Sequence, residues 1–236
     1  MVGYFFTLQM KKLFSVIVAG GSGSRMKTVI AKQFLPLRGK PILSHTIEKF
    51  LKIDGNTIIV VLPKNDLIFW DEIIQSNDTL KKALEKGRIK GVIGGATRFQ
   101  SVNKGLDAID DGEGLVAIHD GVRPLVSIEK IKEAFSQAKE KTNAVLCVAS
   151  KDSIRKENKD GSNEMVDRNQ IKLIQTPQTF DLPLIKAAYA KGEKSHFTDD
   201  ASVFEASGHS IHLLDGEYKN IKITTPEDLL LAEAFL

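Results

Sequence analysis

The sequence predicts an α/β fold: a three-layer sandwich with a mostly parallel sheet, and a β-hairpin arm that protrudes from it. Three observations lead there. Short apolar runs rich in β-branched residues recur along the chain, hydrophobic at nearly every position, as strands buried on both faces of a parallel sheet require. Segments of helical periodicity alternate with them, and that alternation implies a parallel sheet covered by helices. One polar, charged stretch interrupts the pattern and carries a turn signal in its middle. The 236 residues suit one large domain of this class, taken as a single unit over 1–236.

The first strand is expected at 13–19 (LFSVIVA), closed by Gly20-Gly21-Ser22-Gly23. Runs of the same type follow at 57–62, 91–93, 115–119 and 144–149. Residues 41–52 begin with a proline suited to a first helical turn and place Leu43, Ile47, Phe50 and Leu51 on one face. Residues 66–74, 98–109 and 127–141 carry the same period. In the last of these, Ser127 is a candidate N-cap with Glu129 in the first turn.

The alternation breaks at 150–172, where Lys159-Asp160-Gly161 separates two weak strands at 153–156 and 164–166. This arm is too polar to form a core and too long for an ordinary loop, so it needs an external surface to lie on. Helices are expected near 183–190 and 199–207, and strands at 210–214 and 221–223. Thr225-Pro226-Glu227-Asp228 announces a last helix with an N-cap, a first-turn proline and acidic residues.

Composition excludes several classes. Lys and Arg total 33 against 30 Asp and Glu, and a net charge of +3 is too small for a nucleic-acid footprint. Cys147 is the one cysteine, which excludes an internal disulfide framework and a Cys-based zinc finger. Its apolar neighbours mark it as a buried, inert thiol, and the composition fits a reducing, cytoplasmic setting. His209 and His212 form the closest histidine pair and lack the acidic partner a metal site would add. No stretch reaches the ~18–20 uncharged apolar residues that cross a bilayer. Residues 1–9 lack the basic start of a signal peptide; they are expected to be a disordered extension, or to precede a true start at Met10, and to carry no function.

The sharpest feature is the loop Ala19-Gly20-Gly21-Ser22-Gly23-Ser24-Arg25-Met26-Lys27 after the first strand. Glycines let the backbone approach a phosphate and turn several N–H groups towards one anion. The dinucleotide pattern would need a third glycine at Met26, and the P-loop pattern would need Gly-Lys-Ser or Gly-Lys-Thr, which Gly39-Lys40-Pro41 does not supply. The loop therefore binds phosphate by another scheme, with Arg25, Lys27 and Lys32 supplying charge; a bare tight turn is the alternative.

Further motifs narrow the reading. They are Lys32-Gln33-Phe34-Leu35, Gly39-Lys40-Pro41-Ile42, Gly94-Gly95 with Arg98 and Ser101, His119-Asp120-Gly121-Val122-Arg123-Pro124, and Val166-Asp167-Arg168. Gln175-Thr176-Pro177-Gln178, Thr198-Asp199-Asp200-Ala201 and Asn220-Ile221-Lys222-Ile223-Thr224 complete the series. From Leu13 to Leu236 the order resembles the 2-C-methyl-D-erythritol 4-phosphate cytidylyltransferase family of the non-mevalonate isoprenoid pathway. Ala31 departs from a usual proline and Gly121 from an alanine. Ala96 stands where an acidic residue is common, which removes one carboxylate acceptor for the exocyclic amine of cytosine.

The resemblance implies a Rossmann-like fold of the nucleotide-diphospho-sugar transferase type. It also implies a reaction in which a polyol phosphate attacks the α-phosphorus of CTP and pyrophosphate leaves. A phosphate monoester is already dianionic at neutral pH, so no general base is needed. The transition state needs positive charge, which Arg25 and Lys32 would supply, with Mg²⁺ bridging phosphate oxygens and held mainly by CTP. The resemblance assigns CTP binding to Ala19, Gly20, Gly21, Gly23, Gly95, Ser101 and Asp120, where Asp120 orients a metal or a ribose. It assigns the methylerythritol phosphate to Asp120, Arg123, Ser153, Arg168 and Lys222, and counts Arg168 and Lys222 among the catalytic residues. Ser153 and Arg168 lie on the arm, which the family exchanges between two subunits, so a homodimer is implied. Ribitol 5-phosphate cytidylyltransferase shares most of these motifs and is the near alternative. From other classes, a dinucleotide-dependent oxidoreductase lacks its third glycine, and a non-catalytic nucleotide-binding module would not need Arg25, Lys32, Arg168 and Lys222 together.

Overall fold

The computed structural model describes residues 11–20 and 30–236. The first strand, β1 (Leu13–Val18), is fully apolar except for Ser15 and is buried along most of its length. A short ribbon, β2 (Pro36–Leu37) and β3 (Lys40–Pro41), leads into α1 (Ile42–Leu51). Pro41 is the N-cap of this helix and lies one residue before its first turn. Then come β4 (Asn56–Leu62), α2 (Leu67–Ser76), α3 (Asp78–Glu85), β5 (Ile89–Ile93) and α4 (Arg98–Asp107). β6 (Leu115–Asp120), α5 (Ile128–Lys141) and β7 (Asn143–Ala149) complete the alternating part.

The arm is the hairpin β8 (Ile154–Glu157) and β9 (Asn163–Val166), paired antiparallel with Lys156 opposite Glu164. It is followed by β10 (Lys172–Asp181), α6 (Leu182–Tyr189), α7 (Asp200–Ala206), β11 (Leu213–Asp215) and α8 (Pro226–Phe235).

The central sheet has seven strands in the order β11-β7-β10-β6-β1-β4-β5. β1 pairs parallel with both β4 and β6, so the chain leaves β1 in one direction and returns on its other side. That reversal is the switch point where open α/β sheets bind ligands, beyond the carboxyl ends of the strands. The sheet is mixed: β10 runs antiparallel to β6 and β7. Pro177 cannot donate to a ladder, and the pairing with β7 shifts register between Ile174 and Gln178.

Two apolar layers cover the sheet. One joins Ile17, Val60 and Leu146 to Phe50 of α1, Ile73 of α2 and Phe135 of α5; the other joins Val16, Val61 and Ile118 to Leu106 of α4 and Ile185 of α6. α4 lies especially close. A Cβ at Gly105 would come within 2.5 Å of Val16 Cγ1 and 2.9 Å of Val61 Cγ2, so only glycine lets the helix reach this depth.

Several expectations need correction. The strand expected at 221–223 does not form; this extended segment is tied by Ile223 N–H to the Val122 carbonyl at 3.0 Å. The strand expected at 210–214 is Leu213–Asp215. The sequence pattern announces neither α3 nor β10: α3 is capped by Asn77, whose side chain accepts from the Thr79 and Leu80 N–H groups, and β10 has a polar centre. Ser127 and Thr225 cap their helices as expected. Cys147 is buried. No helix among the described residues is long and apolar enough to cross a membrane.

Candidate active site

The cleft opens over the switch point. Its larger part, about 740 Å³, is lined by Val18 at the end of β1 and Gly20 beyond it, Leu62 at the end of β4, Gly94 to Arg98 leading into α4, Lys32, Asp66, Asp120 and Lys222. A second part, about 270 Å³, is lined by Arg123, Gln175, Thr176, Gln178, Thr198 and Asp199. Arg98, Asp120 and Lys222 line both, so they form the wall between two adjoining compartments.

The sequence builds each side locally. In the larger compartment, Gly94 and Gly95 turn tightly around Ser101 on α4: a Cβ at Gly95 would sit 2.3 Å from Gln100 Cβ. The Gly95 N–H donates to Ser101 Oγ at 3.1 Å, and Thr97 caps α4 by accepting from the Gln100 N–H. Ala19 is tied to the Val61 carbonyl at 2.8 Å, and Gln33 donates to the Ala19 carbonyl at 2.8 Å and to Asp66 Oδ2 at 3.1 Å. Lys32 occupies a buried 3₁₀ turn, Lys32–Phe34, and lines this compartment. Gly20, Gly94 and Gly95 line the same compartment, so a cationic residue and glycine turns share its walls, a combination suited to an anion.

The wall is an ion network. Asp120, the last residue of β6, accepts at Oδ2 from Arg123 Nε at 3.0 Å and lies 3.1 Å from Lys222 Nζ. Its other oxygen, Oδ1, lies 4.0 Å from Arg98 Nε. Burial alone would raise the Asp120 pKa, but the cations of Lys222, Arg98 and Arg123 hold it well below the usual carboxylate range. Arg98 pairs in turn with Asp200. Three cations thus share two carboxylates, and one net positive charge remains on the wall.

His119 supports this wall from beneath. It is fully buried and packs on Phe50 with ring centroids 4.8 Å apart. Its Nε2 lies 3.1 Å from the Arg123 carbonyl, which can only accept, so Nε2 carries the proton and Nδ1 accepts from the Thr176 hydroxyl at 3.0 Å. Thr176 Oγ1 accepts in turn from the Asp120 N–H at 3.1 Å. Burial pushes the His119 pKa down to about 4, outweighing the raising effects of the Arg123 carbonyl and Asp120. With both ring nitrogens engaged inside the fold, the imidazole buttresses the wall.

The residues expected at the site fall into three groups. Ala19, Gly20, Lys32, Gly95, Ser101, Asp120, Arg123 and Lys222 converge on the two compartments or on the turns that shape them. Ser153 and Arg168 line neither: Arg168 is exposed on the arm and donates to the Lys151 carbonyl at 2.8 Å. Gly21, Gly23, Arg25 and Lys27 lie outside the described residues. The structure adds Asp66 and Phe69, and it gives roles to Arg98 and Asn220, which the motifs contain without an assignment. Arg98, marked in the motif after the glycine pair, opens α4 and lines both compartments. The motif holds Asn220, but its role is long-range: it donates to the Thr176 carbonyl at 2.8 Å and offers its own backbone carbonyl to Arg123 at 2.9 Å.

The comparisons agree with this architecture. The profile of the 2-C-methyl-D-erythritol 4-phosphate cytidylyltransferase family matches residues 13–236. The chain belongs to that family. A protein of that name from Bacteroides thetaiotaomicron is 44% identical over 94% of this chain and 98% of its own length. One from Phocaeicola vulgatus is 46% identical over the same shares. Among solved structures, a 4-diphosphocytidyl-2C-methyl-D-erythritol synthase from Anaerococcus prevotii is 32% identical with a TM-score of 0.81, covering 95% of this chain and 96% of that one. The seven-stranded sheet and the projecting hairpin are thus those of a nucleotidyltransferase family, as the motifs implied.

Proposed function

We propose that this chain joins CTP and 2-C-methyl-D-erythritol 4-phosphate to give 4-diphosphocytidyl-2-C-methyl-D-erythritol and pyrophosphate, a step of isoprenoid biosynthesis. The observation that carries the reading is the wall of Arg98, Asp120 and Lys222 shared by two adjoining compartments. A transferase of this kind needs two anionic substrates brought together across a positively charged boundary, and the family's named relatives carry the same activity.

In this reading the larger compartment takes CTP, with Gly20, Gly95 and Ser101 on its walls, and the smaller takes the polyol phosphate beside Arg123 and Lys222. An oxygen of the polyol phosphate forms the new bond to the α-phosphorus, the bond to the β-phosphate oxygen breaks, and pyrophosphate leaves with that electron pair. The incoming phosphate is already dianionic, so the neutral His119 is no obstacle. Lys32, together with Arg25, neutralises charge that grows around the α-phosphorus and the leaving group.

Among the described residues no three His, Cys, Asp or Glu side chains converge as a metal cage. Mg²⁺ in this reading is held mainly by the triphosphate, with Asp120, which lines both compartments, as the carboxylate at hand. When bound, Mg²⁺ would neutralise phosphate charge. The hairpin of β8 and β9 is largely exposed and its two strands pair with each other, which supports a homodimer in which Ser153 and Arg168 reach the polyol compartment of the other subunit. The single buried cysteine suits a cytoplasmic protein.

Pyrophosphate release, measured with each of the four common nucleoside triphosphates and with methylerythritol or ribitol phosphate, tests the reading. Rapid release with CTP and methylerythritol 4-phosphate alone is expected. Faster release with ribitol 5-phosphate would transfer the chain to the sister specificity, and no release with any pair would leave a binding module.

A further inference from the structure

Arg98 opens α4 and lines both compartments, yet its fork is committed to a third place. Nη1 donates to Asp200 Oδ1 at 2.9 Å and Nη2 to Asp200 Oδ2 at 2.7 Å, the bidentate arrangement that fixes a guanidinium most firmly. Tyr189 donates its hydroxyl to Asp200 Oδ1 at 2.6 Å. Asp200 is completely buried, and its place is set by the backbone around it. Asp199 and Ser202 close a capping box at the start of α7, and the Ala201 N–H donates to Gln178 Oε1 at 2.8 Å. The carboxylate is therefore an anchor that does not itself reach the cleft.

The consequence falls on Asp120. Its Oδ2 is occupied by Arg123 and Lys222, and its Oδ1 has the Arg98 Nε at 4.0 Å, beyond hydrogen-bond reach. A partly buried guanidinium stripped of its carboxylate would be a costly unpaired charge, and the next carboxylate lies only about 1 Å too far away. The two acids thus compete for one arginine, and Asp200 holds it.

We propose that Asp200 is a positioning residue: by gripping the Arg98 fork it keeps Arg98 off Asp120, and so leaves Asp120 Oδ1 open to the Mg²⁺–CTP complex. The inference rests on the assignment of CTP to the larger compartment. It accounts for an acid and an arginine that are 102 residues apart in sequence yet joined by two hydrogen bonds beside the cleft.

The test is CTP affinity by titration calorimetry in the presence of Mg²⁺, with wild type, Asp200→Asn, Tyr189→Phe, Asp120→Asn and the two corresponding doubles. Asp200→Asn keeps the shape and removes the charge; it should weaken CTP at least tenfold, since Arg98 then closes on Asp120. Tyr189→Phe loosens the anchor without burying anything new and should weaken CTP two- to fivefold. In the Asp120→Asn background each change should add less than twofold, because the oxygen being protected is no longer charged. A merely structural role would lower the unfolding temperature and weaken CTP equally in both backgrounds. That equality, or unchanged affinity in whichever of the two variants folds, overturns the proposal. Pyrophosphate release is read in parallel: a wild type that binds CTP but releases none with methylerythritol phosphate refutes the transferase assignment while the coupling is still measured. A wild type that does not bind CTP refutes both.

Discussion

The wall at Asp120 and the arm at 150–172 are built from the same charged residue types, and they differ in almost everything else. On the wall, Asp120, Arg123 and Asp200 are mostly or wholly buried, and each carboxylate meets more than one donor. On the arm, Lys156 and Glu164 face each other across two strands at 3.0 Å with both side chains more than half exposed. Paired charges taken out of water are strongly directional, and breaking such a pair strands its partner. Exposed pairs are screened and replaceable by water. The wall therefore has one arrangement of its charges, whereas the charges of the arm stay solvated and replaceable.

The largest effects should come from disturbing the reacting side of that comparison. Lys32→Met removes a buried lysine from the larger compartment, and by analogy with the loss of one oxyanion donor turnover should fall by about 10²–10³-fold. Arg168→Ala should also be inactive, yet Arg168 lines neither compartment of its own chain. Mixing the two inactive proteins is then decisive. If the arm crosses to a partner, one site of the mixed dimer carries both defects and the other carries neither, so activity should return. No recovery after confirmed subunit exchange would place both residues in one chain's site and undo the contrast between a fixed wall and a borrowed arm.

How far the sequence could have led follows the same division. β1, β4, β6 and β7 were legible because fully apolar runs have no other place than the middle of a parallel sheet. The glycine turn at 94–95 and the charged turn at 120–123 were legible because they follow strand ends. β10 was not, since Gln175, Thr176 and Gln178 are polar and Pro177 interrupts the pairing; their burial is repaid by partners far away, such as Glu217 and Asp199. Lys222 was placed at the site by its motif although its strand was misread, because one bond to Val122 holds it instead of a ladder. Asp200 was legible as part of the motif Thr198-Asp199-Asp200-Ala201, but its pairing with Arg98, 102 residues away, has no local signal.

A medium effect should separate the wall's support from its chemistry. The unfolded chain binds a proton on His119 with a pKa near 6.5, whereas the folded protein resists protonation down to about 4. Between these values the unfolded state holds more protons, so stability is full above 6.5 and is lost as pH falls towards 4. From pH 7.5 to 5 the loss from this residue should be about 2 kcal/mol. Urea unfolding at the two pH values, compared between wild type and His119→Gln, isolates it. The variant should lose about 2 kcal/mol less over that interval, and an equal loss in both would show that His119 does not govern the wall's acid sensitivity.

The smallest effect belongs to the arm's own pairing. Lys156 and Glu164 occupy directly opposed positions of β8 and β9, where an opposite-charge pair is worth a few tenths of a kcal/mol at most in exposed surroundings. Lys156→Ala should therefore change the unfolding free energy by less than about 0.5 kcal/mol, and added salt should erase the difference. Turnover should be unchanged, because the pair fixes the hairpin's tip and touches no compartment of the cleft. The informative failure is a drop in activity that grows as the protein is diluted. Such a drop would mean that Lys156 contacts the partner subunit directly, and that the arm's charges, exposed in one chain, become buried and specific like those of the wall once two chains meet.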